Sequence, residues 1–201
     1  MSIPHHDPRI TIFGSSHVKR LYNFSTSSEQ ENPGINGALD IDTGRVTWMG
    51  FPGLKWEKTK TLCDSLKLSN ADVCVIVTGG NDLDNGLDPA TLAYDLVSFA
   101  KLLEMPQVYI CDIIPRLRPW YLSPLEFSKA AETFNDTLEL LLGGSETNRI
   151  AYPGVHHWKV RKISNAKQPV HRSDFVHLNN LGNRRLYYNI RHAVLAGIKQ
   201  I

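Results

Sequence analysis

The sequence contains no long apolar run. Its first residues, MSIPHHDPR, lack the hydrophobic stretch of a signal peptide, and no later run is long enough to cross a bilayer. This pattern predicts an intracellular, cytoplasmic protein without a transmembrane segment, although a chain whose signal peptide had been removed would look similar. Internal repeats and low-complexity segments are also absent, so we expect one globular domain over residues 1–201.

Metal-binding patterns are missing as well. The cysteines are few and odd in number, and no pair has metal-ligand spacing: Cys63, Cys74 and Cys111. They are expected to be free thiols in a reducing compartment. Several histidines could suggest a metal: His5, His6, His156, His157 and His171. Adjacent histidines point apart on regular structure, and no cysteine or carboxylate stands at a helpful spacing. The sequence therefore predicts neither a metal nor an organic cofactor.

Hydrophobic residues make up 42% of the 201 residues and charged residues 21%, with a formal net charge of only +2. These values are typical of a soluble globular protein and do not by themselves indicate a partner. Short apolar runs predict strands: RITIFGSS, VTWMG, ADVCVIVTGG, PQVYICDIIP and, as a possible fifth, RIAYPG at 149–154. Longer amphipathic patterns alternate with them, which predicts an α/β protein with a parallel sheet covered on both faces.

Four helices are predicted after these runs, at 54–68, 88–104, 123–144 and 179–200. Two of them carry clear start signals, because Asp88-Pro89 and Ser123-Pro124 have the capping residue followed by proline. Two stretches do not fit the alternation. Residues 24–45 are polar and rich in turn formers, which predicts a surface loop, and residues 154–173 are interpreted as a basic connector.

Polar residues follow several of the predicted strands. Reactive groups gather at the carboxyl ends of strands in parallel α/β sheets, so these positions are the candidates for a site. They are Ser16 after the first strand, Gly53 after the second, Asn81 after the third, and the pair Asp174 and His177 in the last loop. A histidine can activate a serine hydroxyl, an aspartate can fix the histidine tautomer, and amide N–H groups can stabilise an oxyanion.

These blocks resemble, in order, the four blocks of the SGNH hydrolases, also called GDSL-like esterases and lipases. The resemblance implies a flavodoxin-like three-layer α/β/α sandwich with a five-stranded parallel sheet. It implies a serine esterase that hydrolyses a small acyl or acetyl ester, with a small-molecule or lipid ester as substrate. Ser16, His177 and Asp174 would form the catalytic triad, and Ser16, Gly53 and Asn81 the oxyanion hole, without a metal or cofactor.

The sequence departs from the family pattern in its first block, where Ser15 replaces the usual aspartate. That aspartate is not a triad member, so catalysis is still expected, with Ser15 the less favoured nucleophile. Gly50 competes with Gly53 as the glycine of the second block, and Gly53 is preferred because an amphipathic pattern starts directly after it. Asp82, which follows the expected oxyanion donor, is interpreted as a structural residue.

Other interpretations remain open. Ser16 could cap the helix that follows it, and Asp174 could cap the last helix. The segment 159–191 is strongly basic, which is typical of a solvated face or of a surface for nucleic acid or an acidic partner. The start GSSHVKRL is similar to esterase-like domains of some retroelements. The alternative function is thus a binding module with little or no activity, contacting nucleic acid or membrane through its basic C-terminal region.

Overall fold

The sheet has five parallel strands, as the sequence predicts. The structure is a computed structural model that describes residues 7–27, 34–41, 45–67, 70–143, 151–163 and 169–201. The strands are β1 (Arg9–Gly14), β2 (Arg45–Gly50), β3 (Val73–Val77), β4 (Gln107–Cys111) and β5 (Val155–Trp158). They lie side by side in the order β2-β1-β3-β4-β5, and every neighbouring pair is parallel. This is the flavodoxin-like strand order, whose topological switch point lies between β1 and β3.

Helices cover both faces of this sheet and complete the predicted three-layer sandwich. Those described are α1 (Ser16–Ser27), α2 (Trp56–Thr61), α3 (Cys63–Lys67), α4 (Gly80–Asp84), α5 (Pro89–Leu102), α6 (Pro124–Leu142) and α7 (Asn180–Ile198). One face packs against α1 and α7, and the other against α5 and α6. None of the described helices is both long and apolar enough to span a membrane.

The central strand β3 shows why the sheet is buried on both sides. All five of its residues are buried. Val73, Val75 and Val77 pack with α1 and α7, whereas Cys74 and Ile76 pack with α5 and α6. Side chains alternate between the two faces of a strand, so a continuous apolar run fills both cores at once. This central position explains why β3 has the clearest strand pattern in the sequence.

The two predicted helix starts are confirmed. The carboxylate of Asp88 accepts a hydrogen bond from the N–H of Thr91 at 2.8 Å. Ser123 and Glu126 form a capping box, in which each side chain accepts from the backbone N–H of the other residue. The proline that follows each cap costs no intrahelical hydrogen bond, because the first N–H groups of a helix have no acceptor within it.

The prediction of the fifth strand was wrong in position. The structure places β5 at Val155–Trp158, inside the predicted basic connector, and residues 151–154 lead into it through a turn. Gly154 has a φ of +73°, which an L residue rarely adopts and which fits a turn better than a strand. Of the predicted run, residues 149 and 150 lie outside the described residues. The strand VHHW has only one fully buried residue, so its apolar signal is weak.

Two helix boundaries also differ from the predictions. The single helix expected over 54–68 is divided at Leu62 into α2 and α3, and residue 68 is outside the described part. Helix α1 extends to Ser27, into the predicted loop at 24–45, of which residues 28–33 and 42–44 lie outside the described residues. The hydroxyl groups of Ser25, Thr26 and Ser27 donate to carbonyls three or four residues earlier, which satisfies them within a helix.

Candidate active site

A cleft of about 460 Å³ opens at the carboxyl ends of β1 and β3. This is the switch point of the sheet, where ligands bind in open α/β folds. Four of the five residues singled out in the sequence line the cleft, and the fifth, Asp174, contacts it through a histidine. The four residues that were singled out in the sequence and line the cleft are Ser16, Gly53, Asn81 and His177.

Ser16 is the first residue of α1 and lies directly beyond the end of β1. The turn into the helix is tight, because the N–H of Ser15 donates to the carbonyl of Val77 at 3.1 Å. A Cβ on Gly14 would lie 2.0 Å from that same carbonyl oxygen, so no larger residue fits there. The hydroxyl oxygen of Ser16 lies 3.1 Å from Nε2 of His177. The helix begins at Ser16 itself, so the interpretation of Ser16 as a cap was wrong.

Asp174 and His177 form a compact loop before α7. The Nδ1 of His177 lies 2.9 Å from Oδ2 of Asp174, while Oδ1 accepts from the N–H groups of Val176 and His177 at 3.0 and 2.8 Å. Partial burial raises the pKa of Asp174, but these hydrogen bonds outweigh burial and hold the pKa well below its usual range. Asn179 caps α7 by accepting from Gly182, so the interpretation of Asp174 as the cap was also wrong.

This loop is fixed against the segment that follows β4. The carbonyl of Phe175 accepts a hydrogen bond from the N–H of Leu117 at 2.9 Å, and Phe175 has a φ of +56°. The Nε2 of His171 lies 2.8 Å from the carbonyl oxygen of Pro115. A non-glycine residue at positive φ costs free energy, so the surrounding hydrogen bonds must hold this loop in place. The orientation of His177 therefore depends on the segment after β4.

The structure separates the two glycines that competed for the second block. Gly50 lies within β2, and a Cβ there would be 2.4 Å from the backbone nitrogen of Lys19 in α1. Gly50 therefore permits close packing of helix on strand. Gly53 lines the cleft and has a φ of +71°, and a Cβ added to it would meet no other atom within 4 Å. A backbone in this left-handed conformation favours glycine, and Gly53 is exposed at the cleft wall.

Asn81 projects into the cleft from the short helix α4. The turn before it requires Gly79, which has a φ of +101° and caps the helix. The side-chain Nδ2 of Asn81 donates to the carbonyl of Leu54 at 2.9 Å, and its Oδ1 accepts from Arg116 at 2.6 Å. One of the two N–H groups on Nδ2 is thereby used and one is left for a ligand. Asn81 thus offers a single amide donor with a fixed orientation.

No protein-family model matches the sequence, and no curated protein matches it. The solved structures that are similar to it include a lipase/acylhydrolase from Enterococcus faecalis, with a TM-score of 0.66 and 16% identity over 93% of this chain and 95% of that chain. A carbohydrate esterase family 3 structure from Talaromyces cellulolyticus has a TM-score of 0.64 and 13% identity over 96% and 99%. A lipolytic protein of the G-D-S-L family from Veillonella parvula has a TM-score of 0.62 and 15% identity over 92% and 96%.

The chain has an SGNH hydrolase-like fold. The likeness covers nearly all of the chain and of the compared structures, so the whole architecture is shared. At these identities it shows the fold alone, and the chemistry depends on the residues of this chain.

Within this SGNH-like frame lies a buried ion pair that the sequence interpretation missed. Arg116, in the segment after β4, places a guanidinium nitrogen 2.8 Å from Oδ2 of Asp84, and the two side chains are 4% and 1% exposed. Asp84 also accepts from the N–H groups of three consecutive residues: Trp120, Tyr121 and Leu122. Burial raises the pKa of Asp84, but these donors and the positive charge of Arg116 lower it overall. Arg116 lines the cleft, but it lies five residues beyond the end of β4, in a segment with no sequence signal for such a role.

His17, the neighbour of Ser16, is a second residue that was not anticipated. It is 6% exposed, and its ring lies 5.7 Å from the ring of His177, centroid to centroid. Burial lowers the pKa of His17 to about 3, and the nearby charge of Arg116 acts in the same direction. His17 is therefore neutral and packs behind the reactive pair as an uncharged ring. Asp82, by contrast, has the structural role expected of it, since it accepts from the N–H of Trp56 at 2.7 Å.

The basic segment 159–191 is partly used within the protein. Arg185 donates to the carbonyl of Lys162, Arg191 donates to the carbonyl of Leu39, and Lys159 pairs with Glu139 at 3.1 Å. Residues 164–168 lie outside the described part, so binding of nucleic acid or an acidic partner stays a prediction. Within the described ranges, no three histidine, cysteine or acidic side chains are grouped as a metal would require. Residues 5 and 6, two of the candidate histidines, lie outside those ranges.

Proposed function

We propose that the protein is a serine esterase that hydrolyses small acyl or acetyl esters. One observation carries this proposal: the hydroxyl of Ser16, both ring nitrogens of His177 and the carboxylate of Asp174 are linked by contacts of 3.1 and 2.9 Å at the edge of a cleft. A nucleophile, a base and an orienting anion in this sequence of contacts are what acyl transfer by serine requires.

The reaction begins when Ser16 Oγ attacks the ester carbonyl carbon and Nε2 of His177 accepts the hydroxyl proton. Asp174 keeps the other proton on Nδ1 and stabilises the imidazolium that forms. The tetrahedral intermediate collapses, the carbon–oxygen bond to the alcohol breaks, and the alcohol leaves with the proton from His177. Water then attacks the acyl-enzyme in the same manner, which releases the carboxylic acid and restores Ser16.

The negative oxygen of each tetrahedral intermediate needs hydrogen-bond donors that are already in position. The proposed donors are the N–H of Ser16, the N–H of Gly53 and the free N–H of the Asn81 side chain. Support comes from their common location on the cleft wall and from the fixed orientation of the Asn81 amide. Ser16 also lies at the N-terminus of a 12-residue helix, where the helix dipole favours negative charge.

The test uses hydrolysis of p-nitrophenyl acetate together with labelling by a fluorophosphonate probe. Wild-type protein is expected to turn over the ester and to be labelled at Ser16, and Ser16→Ala should lose both, with turnover reduced by about 10³-fold or more. Ser15→Ala is the matched control, because it removes the adjacent hydroxyl and should retain labelling. Equal turnover by wild type and Ser16→Ala would contradict the proposal. Folded wild-type protein with neither labelling nor turnover would favour the binding module instead.

A further inference from the structure

We propose that Arg116 is a positioning residue of the oxyanion hole, acting through the side-chain amide of Asn81. This assignment deepens the proposed esterase function and rests on it. Its starting point is the hydrogen bond of 2.6 Å from the guanidinium of Arg116 to Oδ1 of Asn81, on the wall of the cleft that contains Ser16.

The chemistry of the two groups allows only one orientation of the Asn81 amide. An asparagine amide can be turned end for end, which exchanges its acceptor oxygen and its donor nitrogen. Arginine has only donors, so a turned amide would place its NH₂ against the N–H groups of Arg116 and leave both without an acceptor. The carbonyl of Leu54, which has only acceptor capacity, selects the same orientation from the other side. The remaining N–H of Asn81 is therefore directed away from both partners.

A charged donor to Oδ1 also makes the amide N–H of Asn81 a stronger hydrogen-bond donor. Hydrogen bonds to an ionised group are shorter and stronger than neutral ones, and hydrogen bonds in series polarise each other. The charge of Arg116 withdraws electron density through Oδ1, which makes the free N–H of Asn81 a better donor. This effect is largest when the acceptor carries negative charge, as an oxyanion does, and smaller for a neutral ester carbonyl.

Arg116 is itself held in one position. Its guanidinium pairs with Asp84 at 2.8 Å, and its planar charge lies 5.4 Å from the ring centre of Phe127. Asp84 and Asn81 are three residues apart on α4, so they lie on the same face of that short helix. One helix thus carries both the proposed oxyanion donor and the anion that anchors the residue orienting it. A buried pair held by this many contacts is rigid enough to fix the amide.

A double-mutant cycle on p-nitrophenyl acetate hydrolysis tests this assignment. Arg116→Met is expected to lower kcat by about 10- to 100-fold, less than the ~10²–10³-fold typical of losing an oxyanion donor, with little change in KM. In an Asn81→Ala background, the same substitution should lower kcat by less than about threefold, because the group it acts through is gone. Arg118→Met is the matched control, since Arg118 is exposed and the substitution retains the backbone N–H that donates to the carbonyl of Phe175.

Loss of the guanidinium leaves Asp84 buried without its ion pair, so Arg116→Met could fail to fold. The variant Arg116→Met with Asp84→Asn removes both charges and keeps a carbonyl acceptor for the N–H groups of Tyr121 and Leu122, and the cycle is then run with this pair. If removing the guanidinium lowered kcat by the same factor with and without Asn81, the assignment would be overturned and the esterase proposal would stand. A folded wild-type protein without turnover would instead overturn the esterase proposal, and this assignment with it.

A second inference comes from the charge of the cleft, and it also rests on the proposed esterase function. Ser16, Lys19, Arg20 and Asn23 all line the cleft from the same face of α1, one and two turns apart. Among the described residues that line it there is no carboxylate. At about 1.5 Å per residue, the cationic side chains begin about 4.5 to 6 Å along the helix from the nucleophile.

We infer that the preferred ester carries an anionic group about 5–10 Å from its carbonyl carbon, beside Lys19 and Arg20. The test compares two p-nitrophenyl esters of equal acyl length, the neutral pentanoate and the anionic glutarate monoester. Wild type should prefer the glutarate by about fivefold in kcat/KM at low salt, and the preference should shrink as salt is added. Lys19→Gln with Arg20→Gln should abolish it, whereas the control Lys129→Gln on α6 should not.

The outcomes of this comparison separate the two proposals. Turnover of both esters without a preference for the glutarate would overturn the anionic subsite and leave the esterase function intact. A preference that persists in the Lys19→Gln, Arg20→Gln variant would overturn the assignment of these two residues. Failure to hydrolyse either ester would count against the esterase function itself.

Discussion

The hydroxyl oxygen of Ser16 lies 3.1 Å from Nε2 of His177, although 161 residues separate them along the chain. Ser16 is held by the turn from β1 into α1, and His177 by a loop fixed to the segment after β4. The pair therefore forms only when the first and last parts of the fold are in place. Its proposed chemistry depends on which nitrogen of His177 carries the proton, and this can be tested.

Asp174→Asn should lower kcat by about 10²- to 10⁴-fold while the fold is retained. The oxygen Oδ1 of Asp174 already serves two backbone N–H groups, so the single oxygen of asparagine is expected to stay there. Its NH₂ would then face Nδ1 of His177 and force the proton onto Nε2, where it blocks proton transfer from Ser16. Steady-state kinetics and thermal unfolding measure the two effects. Asp64→Asn, on the exposed surface of α3, is the control, and similar kinetics for both variants would contradict the role of Asp174.

The pH dependence of wild-type activity should follow the imidazole and not the carboxylate. Although partial burial raises the pKa of Asp174, its hydrogen bonds hold that pKa well below the usual range, so Asp174 stays ionised throughout the assay range. A histidine base must be neutral, and histidines ordinarily titrate near pH ~6.5. We expect kcat/KM for p-nitrophenyl acetate to rise with pH through one ionisation between about pH 5 and 8, where histidine side chains in general change charge. A flat profile with acyl transfer rate-limiting would show that His177 is not the base.

The two glycines of the second block should fail in different ways when replaced by alanine. Gly50→Ala places a Cβ 2.4 Å from the backbone nitrogen of Lys19, so the helix must move, and a loss of about 1–3 kcal/mol in the free energy of unfolding is expected. In Gly53→Ala the added Cβ meets no other atom, but the φ of +71° is unfavourable for alanine. We expect a loss of about 1–2 kcal/mol in the free energy of unfolding and a rotation of the proposed oxyanion donor.

Urea unfolding and kcat, measured on both variants, separate these effects. Gly53→Ala should lose more in kcat than its modest loss of stability explains, whereas Gly50→Ala should chiefly lose stability and lower kcat only through displacement of α1, which carries Ser16. Gly50 would instead be the better candidate for the oxyanion donor if Gly50→Ala stayed stable and lost activity.

His17 should make the protein less stable in acid. Burial lowers its pKa to about 3, whereas an unfolded histidine titrates near ~6.5. Between these values the unfolded chain binds a proton that the folded protein does not, so the free energy of unfolding falls as pH falls, by at most ~1.4 kcal/mol per unit. The positive or protonatable groups around it act in the same direction: Arg116, His177, His171 and Arg20.

Urea unfolding at pH values of roughly 7 and 4.5 measures this effect, and His17→Gln should reduce the loss of stability between them by about 2 kcal/mol. His192→Gln is the control, because His192 is exposed on α7. An unchanged pH dependence in His17→Gln would contradict a neutral buried His17.

The sequence could predict those parts of the site that follow directly from sheet geometry. A parallel sheet brings the carboxyl ends of its strands together, so residues that come just after β1 and β3, such as Ser16 and Asn81, could be expected to meet. The late loop with His177 was anticipated from a short motif, and the sheet itself came from β-branched runs such as β3. In each case a local pattern was sufficient because the fold determines where the strand ends lie.

Arg116 could not be placed in this way. It lies in a segment without periodicity, and its importance comes from Asp84 and Asn81, which are 32 and 35 residues away. The position of β5 was predicted wrongly because it is an edge strand with two histidines, one of which lies between Asp112 and Glu139. Its polar groups are satisfied by tertiary contacts that composition does not reveal. The division between α2 and α3 likewise depends on packing that helical periodicity does not indicate.

The distance along the chain between Ser16 and His177 has a consequence for biosynthesis. Chains are made at about 5–20 residues per second, so the 161 residues between the two partners take about 8–32 s to synthesise. Throughout that time the serine exists without its proposed base, and helix α1 lacks α7, against which it packs in the finished core. Any activity that depends on the proposed pair of Ser16 and His177 can therefore begin only after translation has passed His177, which lies beyond all five strands of the sheet.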